Sequence, residues 1–200
     1  IVFLDDDCIA EEGYLNAYSK AIKATPDVQV LEGRIFADRP RRTWAEGCPE
    51  NEQGGMLWTS NLCVRRKLFM EMGGLDEKFQ IAYEDVDFAL RLKQKEMYSI
   101  FVSDAAVCHP WRTLKQGGNN WKKAGYQLQE LLIFLEKHPD QYPLHSAKVF
   151  LKNAVRGLIK ELPKGLFEFK GEGSLFKLFR ILQSTQAALA VKRWHTNYHA

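Results

Sequence analysis

Two hundred residues with 28 Lys/Arg against 25 Asp/Glu give a nearly balanced chain, formally +3, of which 46% is apolar. That is enough for one substantial core and a smaller appended unit, and too weakly basic for a nucleic-acid binder. No apolar run approaches the ~18–20 residues of a membrane helix, and no stretch has the form of a secretory signal.

The chain opens on Ile1-Val2-Phe3-Leu4, which runs into Asp5-Asp6-Asp7. A short apolar run ending in polar residues predicts a buried strand of a parallel sheet, and open α/β sheets bind ligands beyond the carboxyl ends of their strands. Three adjacent carboxylates repel one another unless a cation joins them, and oxygen donors favour a hard ion such as Mg²⁺ or Mn²⁺. Helix capping by Asp7, with its neighbours solvated, is the plainer alternative. A strand at residue 1 implies further sequence upstream. Cys8, Cys48, Cys63 and Cys108 show neither a CxxC pair nor zinc spacing and read as buried free thiols of a reducing cytoplasm.

Tyr14, Leu15, Tyr18, Ala21 and Ile22 share a helical stripe between Glu11 and Ala24, and Thr25-Pro26-Asp27 stops it. Val28 to Phe36 reads as a strand. A proline-containing connection from Asp38 to Glu52, long enough to be functional or mobile, closes on Gly54-Gly55. A small polar cluster, Thr59-Ser60-Asn61, follows, and then a short helix at 67–72 ended by Gly73-Gly74. Glu84-Asp85 open another helix, where capping suffices to explain them; Val86, Ala89, Leu90 and Met97 face the core and Arg91, Lys93 and Lys95 face water. Strand-like segments at 98–102 and 105–108 lead into His109-Pro110-Trp111-Arg112, and Gly117-Gly118-Asn119-Asn120 form a flexible hinge.

From Trp121 onward the pattern is helical. Leu128, Leu131, Leu132 and Leu135 form one stripe, broken by His138-Pro139-Asp140 and Pro143. Ala147, Phe150, Leu151, Ala154, Val155, Leu158, Ile159 and Leu162 form a second, ended by Pro163 and Gly165. Leu175, Leu178, Phe179 and Leu182 mark a third. Residues 146–200 hold ten Lys/Arg against Glu161, Glu168 and Glu172, so this tail is basic and the remainder net acidic. Trp194, His195 and His199 are too few for a metal site or an aromatic cage.

The ordered set FLDDD at 3–7, GG at 54–55, TSNLCVRR at 59–66, GGLDEKF at 73–79, YEDVDFALRL at 83–92 and CHPWR at 108–112 resembles the inverting family 2 glycosyltransferases of the GT-A fold. The resemblance covers residues 1 to about 112. It implies an α/β fold: a partial GT-A, Rossmann-like sheet with flanking helices over 1–120, the metal and acceptor half of the domain. An all-helical, basic subdomain over 121–200 follows. Asp5, Asp6 and Asp7 match the DxD element that holds a divalent cation and the donor nucleotide, with Asp7 the direct metal ligand, Asp5 in the shell, and His109 a further ligand. Asp85 matches the catalytic base, paired with Glu84. Arg112 could pair with a donor phosphate oxygen, or be an exposed surface charge. Gly54, Gly55, Trp58, Thr59, Ser60 and Asn61 match the sugar and acceptor pocket.

The resemblance further implies Mg²⁺ or Mn²⁺ as cofactor, a nucleotide-diphosphate sugar as donor, and a glycan or lipid-linked acceptor of surface polysaccharide or lipopolysaccharide synthesis. The family's nucleotide-binding half precedes the DxD strand and is not in this chain, so activity here is expected to be incomplete. The QxxRW motif of processive members is also missing. The basic tail could lie on an anionic membrane, peripheral to the inner face of the plasma membrane, or pack on the core with its cations in solvent. The competing reading is a non-catalytic binding or membrane-surface scaffold derived from such a transferase. A metal-dependent nuclease or phosphatase would need a denser carboxylate and histidine cluster.

Overall fold

The structure, a computed structural model, describes residues 1–113, 118–168 and 173–198. Its strands are β1 (Val2–Leu4), β2 (Ile9–Ala10), β3 (Val30–Ala37), β4 (Glu46–Gly47), β5 (Asn61–Val64), β6 (Ser99–His109) and β7 (Arg112–Thr113). Its helices are α1 (Tyr14–Ala24), α2 (Arg66–Glu71), α3 (Glu84–Gln94), α4 (Gly118–Lys137), α5 (Ala147–Arg156), α6 (Leu162–Glu168) and α7 (Ser174–Tyr198). The chain divides into two compact units, residues 1–40 with 48–112, and residues 41–47 with 113–200. Segment 41–47 thus interrupts the first unit and belongs to the second.

The first unit is built on a mixed sheet in the order β1-β5-β3-β6-β2. Only β3 and β6 run parallel; the other pairs are antiparallel. The fold is the expected α/β, partial GT-A architecture with a helical C-terminal part, but β1 is not the buried parallel strand its composition suggested. It pairs antiparallel with β5, and Val2 and Leu4 stand 38% and 42% exposed. With Ala10, Tyr14 and Leu15 they line an open groove of about 550 Å³. An apolar run does not distinguish a parallel from an antiparallel partner.

Side-chain alternation on β3 and β5 feeds two apolar layers. Leu31, Ile35 and Cys63 pack under Tyr14 and Tyr18 of α1, whereas Val30, Leu62 and Val64 pack on Leu68 of α2 and Phe88 and Leu92 of α3. Helix α1 starts at Tyr14 because Gly13 supplies a left-handed turn (φ 80°), and Leu15 and Ile22 point outward rather than inward. Helix α3 is likewise rotated from its expected face: Phe88 and Leu92 are buried and Val86 is exposed. Arg91, expected in water, binds the fully buried Asp87 at 2.8 Å and donates to the Met72 and Gly74 carbonyls at 2.7 Å, tying α3 to the end of α2. The Gly73-Gly74 stop is as expected, both residues having positive φ.

Asn61 forms a polar knot within this core. Its amide nitrogen donates to the Arg34 and Ala105 carbonyls at 2.9 and 2.8 Å, and its oxygen accepts from Tyr14 and Tyr18 at 3.0 and 2.7 Å. All four hydrogen bonds open to an amide are made. The approach requires Gly33, where a register shift breaks the β3–β6 ladder: a Cβ there would lie 2.2 Å from the Asn61 nitrogen and 2.3 Å from the Ala105 oxygen. Burial pushes the Tyr14 hydroxyl up to about 12 and the Tyr18 hydroxyl higher still, so both stay protonated donors.

Beside it, Glu32 is a buried carboxylate at 1% exposure. One oxygen accepts from the Gly55 N–H and the Ser99 hydroxyl at 2.8 and 2.7 Å; the other accepts from the Met56 and Leu57 N–H groups at 2.9 Å. Burial alone would raise its pKa. The donated hydrogen bonds, that from Leu57 foremost, outweigh burial and hold it below the ordinary carboxylate value.

In the second unit α5 packs on α7. Pro163 does not end the helix. A π turn at Gly157–Glu161 precedes it and the chain continues as α6, the wider turn giving the proline ring and its missing N–H room inside a helical run. Pro139–His145 is a 3₁₀ stretch at the expected break. Gly118, Asn119 and Asn120 open α4 rather than forming a hinge, and Gly117 lies outside the described residues, as does His199. Leu131, Phe134 and Leu135 are buried, while Leu151, Val155, Leu158, Ile159, Leu175 and Leu182 are exposed.

Gly33→Ala is expected to cost about 3 kcal/mol in urea denaturation, because its Cβ meets backbone and a saturated amide that have nowhere to move. Glu32→Gln sets an amide NH₂ against N–H donors and is expected to cost about 2 kcal/mol. A carboxyl with a depressed folded pKa contributes stability above its unfolded value and loses it as pH falls. Wild-type melting temperature therefore drops between about pH 5 and pH 3, by more than that of Glu32→Gln over the same window.

Candidate active site

The acidic run forms a turn at the end of β1, closed by the Cys8 N–H donating to the Asp5 carbonyl at 3.1 Å. Asp5 and Asp7 lean inward, half-buried, and Asp6 is exposed. β2 then pairs with β6 opposite Cys108, which brings His109, the last residue of β6, beside the turn. His109 is fully buried, and its Nδ1 lies 2.8 Å from the Pro110 carbonyl. A carbonyl can only accept, so Nδ1 carries the proton, and in the neutral imidazole Nε2 then presents its lone pair. That lone pair faces Asp7 at 3.6 Å and Asp5 at 3.9 Å, with no hydrogen-bond partner.

A buried lone pair aimed at two carboxylates is an arrangement that invites a cation. Donor atoms of Asp5, Asp7, His109 and Cys8 all lie within 4.8 Å of one another. Separations of 3.6 and 3.9 Å are a little wider than the roughly 3 Å between neighbouring donors of an octahedral shell at ~2.1 Å, so the side chains would draw in slightly around an ion. The set fits a divalent ion of borderline hardness. Cys8 was not among the expected site residues: its neighbour His109 is remote in sequence, and motif spacing carries no signal for such a pairing. Burial, followed by the charges of Asp5 and Asp7, pushes its thiol up to about 11.

Arg112 supplies the positive charge among the described residues at this turn. Its guanidinium grips Asp7 through two hydrogen bonds of 2.5 and 2.6 Å and lies 3.6 Å from Asp5. This contact, more than any other, lowers the Asp7 pKa and raises that of Arg112. The segment is anchored from behind, where the Trp111 indole donates to the Arg39 carbonyl at 2.5 Å and the Cys48 thiol to the His109 carbonyl at 3.2 Å.

Glu84 and Asp85 occupy the first turn of α3, entered through Tyr83 in a left-handed conformation (φ 70°). A bulky residue at positive φ stores strain and recurs where a neighbouring side chain must be aimed. Asp85 is half-buried, and its pKa is raised, first by burial and then by the negative charge of Asp5. Of the acid turn's charges, Asp5 is the one that contributes to this shift, and less than burial does.

The remaining residues divide. Gly54 and Gly55, both at positive φ, lead into Leu57, also at positive φ, and the whole bend is tied to Glu32 and Asn51. Trp58 and Thr59 are half-buried and Ser60 is buried. Asn61 lies opposite Leu4 in the ladder, next to the acid turn, but its side chain turns into the core and is saturated there. Glu32, Asp87 and Arg91 organise the surroundings without having been singled out, because an isolated charge in an apolar stretch carries no signal of burial.

Against known proteins, residues 1–123 match the family model described as glycosyl transferase family group 2. An N-acetylglucosaminyl-diphospho-decaprenol L-rhamnosyltransferase of Mycobacterium tuberculosis strain CDC 1551 / Oshkosh is 36% identical over 76 residues, spanning 35% of this chain and 25% of that protein. The protein of the same name in strain H37Rv matches to the same extent. The chain therefore spans about a quarter of the length of these curated relatives. No solved structure matches. With the model matched across more than half of its length, this chain belongs to glycosyl transferase family group 2.

Proposed function

We propose that this chain is the metal and acceptor half of an inverting glycosyltransferase, which moves a sugar from a nucleotide-diphosphate donor to a glycan or lipid-linked acceptor. The single observation that carries the reading is the convergence of Asp5, Asp7 and the unpartnered Nε2 of buried His109 at one turn. The family supports glycosyl transfer itself. The relatives' name, which specifies a diphospho-decaprenol, supports a lipid-linked acceptor.

Asp5, Asp7 and His109, with the Cys8 thiol alongside, would hold Mg²⁺ or Mn²⁺. When bound, such an ion supplies Lewis-acid neutralisation of the departing diphosphate. Asp85 takes the proton of the acceptor hydroxyl while that oxygen attacks the anomeric carbon from the face opposite the diphosphate, so the configuration inverts. Its pKa, raised by burial, makes it a stronger base than an exposed aspartate. Arg112, bidentate on Asp7, offers a second positive charge to the diphosphate oxygens. Glu84 borders the base, and Gly54, Gly55, Trp58, Thr59 and Ser60 form the acceptor side, shaped by Glu32.

In the complete protein, Asp85→Asn is expected to lower the transfer rate by about 10²–10⁴-fold. Its melting temperature should not fall, since a carboxyl whose folded pKa is raised costs stability when ionised. Unchanged turnover would overturn the base assignment. The acid limb of the wild-type rate profile should lie above the ordinary aspartate value. Asp7→Asn should weaken Mn²⁺ about tenfold or more in an electron paramagnetic resonance titration without donor, and equal affinity would remove Asp7 from the ligand set.

A further inference from the structure

The helical unit is packed inside out along one of its helices. Through α5, the π turn and α6, the buried positions are the small residues Ala154, Gly157 and Gly165. The large apolar residues Leu151, Val155, Leu158, Ile159, Leu166 and Phe167 face outward, from 47% exposed at Val155 to 88% at Phe167. The arrangement is enforced by close packing. A Cβ on Gly157 would lie 2.9 Å from Ile181 of α7, and one on Gly165 only 1.2 Å from the Trp44 indole nitrogen. Neither glycine can be rotated out in exchange for a leucine. Leu151, Val155, Leu158 and Ile159 recur at helical spacing on one exposed stripe, and α7 adds Leu175 and Leu182, 71% and 53% exposed.

The adjoining exposed positions are cationic. Lys148, Lys152, Arg156 and Lys160 follow at four-residue intervals, displaced one position from the apolar stripe. Glu161, the acid within that run, is already committed to Arg156 and to Lys177. Among the described residues no helix is long and apolar enough to cross a membrane. A protein partner of ordinary composition would explain the apolar stripe, but not a flanking row of a single sign. Aliphatic and aromatic side chains beside a lysine and arginine row match the acyl boundary and headgroups of an anionic bilayer.

We infer that the outward face of α5 and α6 is a membrane-surface docking site that inserts Leu158, Ile159 and Phe167 into the acyl boundary of an anionic bilayer, with Lys148, Lys152 and Lys160 on the lipid phosphates. This deepens the proposal of a lipid-linked acceptor, which resides at such a surface, but it is tested without donor or acceptor.

The full chain is floated with vesicles of phosphatidylcholine containing about 30 mol % phosphatidylglycerol, and with vesicles of phosphatidylcholine alone. Partitioning should favour the anionic vesicles by about tenfold or more, and weaken in about 0.5 M salt. The pair Ile159→Ser with Phe167→Ser should lose about tenfold at unchanged melting temperature, because both side chains are already in solvent in the unbound protein. Lys148→Glu with Lys152→Glu should abolish the anionic preference, at about fivefold per cation removed. Equal binding to both vesicles, or full binding by the serine pair, overturns the proposal. So does a dimer in light scattering that the serine pair converts to monomer, since the face would then belong to a second copy. Loss of sugar transfer with vesicle binding intact would count against the catalytic reading and leave the docking face standing.

Discussion

The saturated amide of Asn61 is the constraint on which the first unit depends. It joins β5 to the backbone of β3 and β6 and to two tyrosines of α1. A buried amide left short of even one partner costs about 1–3 kcal/mol, so the knot admits one register of three strands and one rotation of one helix. Those elements carry the site. β6 ends in His109, β5 pairs with the strand that runs into Asp5, and α1 follows β2, which brings the acid turn alongside β6. Glu32 plays the corresponding part for the glycine bend, fixing three of its backbone N–H groups and joining them to the Ser99 hydroxyl of β6.

The legibility of the molecule follows from this division. Local events were readable: the Gly73-Gly74 stop, the start of α3 at Glu84 and the run from β6 into His109 depend on residues within a few positions. The ordered motifs gave the family and, through it, candidate residues, of which Asp5, Asp7 and His109 lie together at the acid turn. The direction in which β1 pairs was not readable, because the same apolar run suits a parallel or an antiparallel neighbour. Helix rotation differs from the expected face for α1 and α3. For α5 the two alternatives left open, a surface-lying or a core-packed stripe, are separated by the exposure of its leucines. Apolar periodicity assumes that the large residues face inward, whereas Arg91 found a buried carboxylate and α5 found a surface that accepts only glycine and alanine. Glu32 lay beyond any one-dimensional rule, since its partners come from a remote strand and loop; Cys8 adjoins the acid run, but His109 reaches it from a remote strand.

The charges at the acid turn differ in how firmly each is held. His109 is wholly buried, with one nitrogen fixed by the adjacent carbonyl, so its lone pair cannot be turned aside without losing that bond. Arg112 is different: its side chain is 51% exposed and its partner Asp7 is 32% exposed. An ion pair so wet contributes about 0–1 kcal/mol, little more than thermal energy. In the proposed reaction a diphosphate arriving with a divalent ion brings far larger electrostatic energies to the same few ångströms. Imidazole and carboxylates therefore form the fixed part of the site, and the guanidinium is the part free to exchange a carboxylate for a phosphate. The short, strong-looking contact to Asp7 is then a resting position, and the unpartnered Nε2 of His109 is the more informative feature of the two.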